Sequence, residues 1–113
     1  MKREFIETNV FRRLWVDGGL NEGDLHSLQK LLLEFPDAGD LIPGAYGLRK
    51  IRVAASGRGK RGGGRVFYKD FTFAGKIFFL FLILKKDSAD LSSEQRKKVS
   101  TMLKEIEEDL YNG

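Results

Sequence analysis

The chain has 113 residues, 42% of them hydrophobic, which suits one domain around a single core and excludes a disordered chain. It contains no cysteine, so disulfides, thiolate metal sites and cysteine nucleophiles are excluded and a reducing cytosol fits. The net charge of +4 is modest, and its distribution matters more than its size.

In chain order, "MKREFIETNV" lacks the apolar core of a secretory signal, so none is expected. Residues 3–8, "REFIET", alternate and predict a short first strand. "VFRRLWVD" (10–17) sets Phe11, Leu14 and Trp15 on one face of a brief helix, with Trp15 as a packing residue, and "DGG" ends it. Asn21 caps a second helix that carries Glu22 and Asp24 in its first turn. Leu25, Leu28, Leu32 and Phe35 form its apolar stripe, Leu31 widens it, and Pro36 stops it. His26, the single histidine, falls on the polar side and reads as a surface residue. That leaves no histidine-pair nuclease and no Ser-His-Asp triad.

Residues 35–47, "FPDAGDLIPGAYG", read as a turn-rich connection. "LRKIRVA" (48–54) is the second strand, "RVFYKDF" (65–71) the third, "TFAG" (72–75) a tight turn and "KIFFLFLIL" (76–84) the fourth and most buried strand. The apolar run in that last strand is far below the roughly 20 residues that span a bilayer, so no membrane role is expected. Ser92 and Gln95 have capping-box spacing, and Val99, Met102, Leu103, Ile106 and Leu110 stripe the final helix. The order β-α-α-β-β-β-α over residues 1–113 implies a single α+β domain. It predicts a small, mostly antiparallel sheet with helices packed on one face and the other face, or one end, open.

The basic charge belongs to one region. Residues 49–65 hold Arg49, Lys50, Arg52, Arg58, Lys60, Arg61 and Arg65 without one acid, so this segment is +7 and the remainder is −3. Seven cations repel one another unless an anion is expected, which points to a local polyanion site. "GRGKRGGG" is not a P-loop, because no Gly-Lys-Ser/Thr opens a helix after it. No acidic cluster has the spacing of a metal site, and neither a metal nor a cofactor is expected.

Arginine grips phosphate bidentately, lysine as a point charge. Phe67 and Phe71 share a strand face and read as core. Tyr68 points the other way and is expected on the Lys/Arg side, where a tyrosine can stack a base or move a proton. Such a set suffices for RNA cleavage, since RNA supplies its own 2′-hydroxyl nucleophile and the protein aligns it and stabilises charge.

"GLRKIRVA", the glycine-basic loop, "GGGRVFY" and an apolar strand ending in "LKKDSADLSSEQRKK" together resemble the RelE/HigB toxins of bacterial type II toxin–antitoxin systems, most closely the HigB-like branch. The resemblance implies a cytoplasmic, ribosome-dependent mRNA endoribonuclease that uses 2′-hydroxyl attack without a metal. It further implies the ribosome, mRNA and a cognate antitoxin, of the helix-turn-helix DNA-binding kind, as partners. Residue by residue, the family's basic pair falls on Lys50 and Arg52, the arginine opening the next strand on Arg65, and the basic residue after the apolar strand on Lys85 or Lys86. The tyrosine that some members carry near the C-terminal segment has no match in "DLSSEQ". The acid–base role is left to Tyr68, to a lysine, or to charge stabilisation alone. Arg49, Arg58, Lys60 and Arg61 are expected to grip RNA. The competing reading is a non-catalytic RNA- or ribosome-binding module, an inactive toxin homologue.

Overall fold

The computed structural model describes residues 2–54, 63–84 and 90–113. Strand β1 (Glu4–Glu7) runs straight into helix α1 (Asn9–Asp17), with Thr8 between them as N-cap, its hydroxyl accepting from the Phe11 N–H. Helix α2 (Glu22–Glu34) opens on a full capping box between Asn21 and Asp24. Strands β2 (Asp40–Leu41), β3 (Arg49–Val53), β4 (Gly64–Phe71) and β5 (Lys76–Leu84) follow, and α3 (Ser93–Asn112) closes the chain behind the Ser92–Gln95 capping box.

The sheet order is β1-β5-β4-β3-β2. Among the described residues only β1 against β5 is parallel and the other three pairings are antiparallel, so the mostly antiparallel α+β expectation stands. Residues 35–47 are not wholly turn. Asp40 and Leu41 pair with Lys50 and Arg49 and add a fifth strand, too short to carry any periodicity.

The expectation that all helices cover one face is corrected. Successive strand residues point to opposite faces, and the core falls into two clusters that follow this alternation. On one face Val66, Tyr68, Ile77 and Phe79 pack with Phe11 and Trp15 of α1 and Leu25, Leu28 and Leu32 of α2. On the other, Phe67, Phe71, Leu80 and Phe81 pack with Val99 and Leu103 of α3 and with Ile42 and Leu48. The physical reason lies in β5, which is apolar at every position from Ile77 to Leu84 and therefore needs cover on both sides.

One irregularity adjusts the second face. Phe67 pairs with Phe81 but Tyr68 with Phe79, so Leu80 is an extra residue in β5. This β-bulge turns two consecutive residues, Leu80 and Phe81, toward the α3 side. Next to it, β4 begins at a glycine for steric reasons. A Cβ on Gly64 would stand 2.3 Å from the Ile83 carbonyl oxygen, closer than any side chain can sit.

A candidate RNA interface on β3 and β4

The register of β3 on β4 sorts the basic residues by face. Lys50 pairs with Phe67 and Arg52 with Arg65, so Lys50, Arg52 and Arg65 lie on the face that carries α3. Arg49 pairs with Tyr68 and lies on the opposite face, with α1 and α2. Arg52 and Arg65 are direct cross-strand neighbours, an arrangement in which like charges repel. Among the described residues neither makes an ion pair. Two unpaired guanidinium groups held side by side present donors to an anion.

Lys50 is held from across the molecule. Its Nζ donates to Asp90 Oδ1 at 2.5 Å, just ahead of α3. The Asp90 carboxyl is pushed below its ordinary range, chiefly by the Lys50 hydrogen bond and then by the charges of Lys50, Arg65 and Arg96. Three cations, one each from β3, β4 and α3, thus act on one carboxylate, and the carboxylate marks where an anionic oxygen is stabilised. Neither Asp90 nor Arg96 is recoverable from local sequence: Asp90 lies 40 positions from Lys50, and only the docking of α3 brings them together.

Tyr68 is corrected. It is fully buried rather than on the Lys/Arg side. Its hydroxyl donates to the Pro36 carbonyl and accepts from the Gly39 N–H, both at 2.9 Å. Burial raises its pKa, so the phenol stays protonated. Strand parity contained this result: positions 65 and 68 differ by an odd number and must face opposite sides.

Arg49 likewise acts inside the fold. Its Nη1 donates to the Gly39 carbonyl at 2.7 Å, fastening the chain behind α2. Gly39 itself has no room for a side chain, because a Cβ would lie 2.8 Å from the Lys50 carbonyl and from the Tyr68 ring. His26 is exposed, as expected. Arg58, Lys60 and Arg61, expected to grip RNA, and Lys85 and Lys86, expected at the catalytic site, lie outside the described residues. Among the described residues no histidine, aspartate and glutamate side chains are grouped as metal ligands would be.

The arrangement of strands and helices matches a known fold. A solved structure of the E. coli toxin RelE, a double arginine-to-alanine mutant in the free state, superposes with a TM-score of 0.60 at 20% identity, covering 87% of this chain and 98% of that one. The chain has a RelE-like fold. No family model matches the sequence. Among the described residues, no helix of this RelE-like chain is long and apolar enough to cross a membrane.

Proposed function

We propose that this protein is a RelE/HigB-type toxin, a cytoplasmic endoribonuclease that cuts mRNA on the ribosome and is neutralised by an antitoxin. The observation that carries the reading is the placement of Lys50, Arg52 and Arg65 on one face of β3 and β4, with Lys50 and Arg65 acting on the Asp90 carboxylate and Arg52 directly across from Arg65. A scissile phosphate in the place of that carboxylate would be gripped by Arg52 and Arg65 through its non-bridging oxygens, with Lys50 beside it.

The 2′-hydroxyl of the preceding nucleotide loses its proton and attacks phosphorus. The P–O5′ bond breaks, a 2′,3′-cyclic phosphate forms, and the 5′-oxygen of the leaving nucleotide takes up a proton. The arginines stabilise the extra negative charge of the transition state, the term that preorganised donors serve best. Burial removes Tyr68 from proton transfer, which leaves a lysine or charge stabilisation alone. The ribosome would supply what this small site lacks, the in-line alignment of the substrate.

The test is toe-printing of ribosome-bound mRNA with the wild type and with Arg65→Ala. Wild type should cut within the decoding site, and Arg65→Ala should lose activity by two to three orders of magnitude or roughly 10²–10³-fold, as for removal of one oxyanion donor. Uncut mRNA with the wild type, or equal cutting by Arg65→Ala, would refute the assignment. The burial of Tyr68 away from Lys50, Arg52 and Arg65 favours one second reading, an RNA- or ribosome-binding module without cleavage. It predicts salt-dependent RNA binding and intact mRNA.

A further inference from the structure

A groove of about 630 Å³ runs between α3 and the turn that precedes β3. Arg96, Lys97 and Lys104 line its helix wall and Glu107 its far end, so three cations face one acid. Tyr46 forms the opposite wall. It is 74% exposed and is the one non-glycine residue with positive φ among the described residues, at 52°. Tyr46 and Gly47, at φ 52° and 88°, are the central residues of a turn closed by the Leu48 N–H on the Ala45 carbonyl at 3.1 Å, and this turn carries the Tyr46 side chain uncovered.

We infer that this groove binds single-stranded RNA, with a base stacked on Tyr46 and the backbone phosphates on Arg96, Lys97 and Lys104. The inference rests on the reading that the adjoining cationic site takes RNA, and it extends that site along α3. Arg96 joins the two: it lines the groove and its charge acts on Asp90 beside Lys50 and Arg65. From Arg96 to Lys104 the helix rises about 12 Å. At about 3.4 Å per stacked nucleotide, that accommodates three or four nucleotides. An exposed ring facing a row of cations suits a nucleic-acid strand, because every base offers a face for stacking and every linkage a charge. An acidic peptide would use the cations and leave the ring without a role.

Fluorescence anisotropy with a labelled twelve-nucleotide oligo(U), purified full-length protein and no ribosome tests this. Tyr46→Gly removes the ring while adopting the same backbone without strain, so the fold is retained. It should weaken binding about 5- to 150-fold, the range that stacking of one base is worth. Tyr46→Trp should restore it. Lys97→Ala and Lys104→Ala should each flatten the slope of log K against log salt by about 0.7. Binding by Tyr46→Gly equal to the wild type overturns the inference, as does displacement of oligo(U) by poly-glutamate at the same charge concentration. If ribosomal cleavage is intact but oligo(U) binding ignores Tyr46, the groove assignment fails and the endonuclease reading stands. If Tyr46-dependent binding appears without any cleavage, the reverse holds.

Discussion

Replacing Tyr68 by phenylalanine separates a structural role from a chemical one. The ring is fully buried against α1 and α2, and phenylalanine keeps its packing. What is lost is one hydroxyl that serves two backbone groups, the Pro36 carbonyl and the Gly39 N–H, each at 2.9 Å. A hydrogen bond contributes about 0.5–1.5 kcal/mol net, and a buried group left unpaired costs about 1–3 kcal/mol. Because the loop can relax toward water on one side, we expect a total loss of about 1–3 kcal/mol. At about 4 °C per kcal/mol for a domain of this size, Tm should fall by about 4–12 °C. Urea unfolding should show a lower midpoint with an unchanged m-value.

The same residue sets a pH dependence. Its folded-state pKa is raised above the ordinary 10.0 by burial. Below that ordinary value both states are protonated and its contribution is constant. Above it the unfolded chain releases the proton first, so wild-type stability declines as pH rises, and the gap to Tyr68→Phe should narrow. RNA cleavage by folded Tyr68→Phe at 25 °C should equal the wild type. Unchanged stability combined with lost cleavage would refute the assignment of Tyr68 to the core.

Other substitutions probe the remaining steps. Gly64→Ala places a methyl group against the Ile83 carbonyl and should destabilise by at least about 3 kcal/mol, the upper range for overpacking, measured by denaturant unfolding. Leu103→Ala opens a cavity beneath α3 and should cost about 2–5 kcal/mol; a near-zero effect would mean that α3 does not cover the second face. Asp90→Asn frees Lys50 and should tighten oligo(U) binding, with the salt slope steeper by about 0.7. Arg49→Ala should lower Tm and leave that slope unchanged, because Arg49 faces away from the cationic site.

The elements legible in the sequence are those with local causes. The N-cap at Asn21 and the capping-box spacing of Ser92 and Gln95 mark two helix starts to the residue, because a cap is a contact between near neighbours. The apolar run of residues 77–84 behind Lys76 marks β5, since a strand covered on both faces leaves an unbroken hydrophobic signature. What escaped has non-local causes. The two-residue β2 has no pattern of its own and exists only as a partner of β3. Strand parity puts Tyr68 on the face opposite Arg65, but that this face is core follows only from the packing of α1 and α2 against it.

By itself, then, the sequence determined the class of fold, the concentration of cations between residues 49 and 65, and, through the two-residue period of strands, that Lys50 and Arg52 share a face. Only the tertiary structure decided which face that is and what joins it there. Pairing of β3 with β4 set Arg52 against Arg65, and the packing of α3 onto β5 delivered Asp90 and Arg96 from the far end of the chain. A charged cluster of this kind is assembled by burial of the apolar residues around it. Charges repel along the chain, and only the core's demand for cover on both faces of β5 brings them to one place.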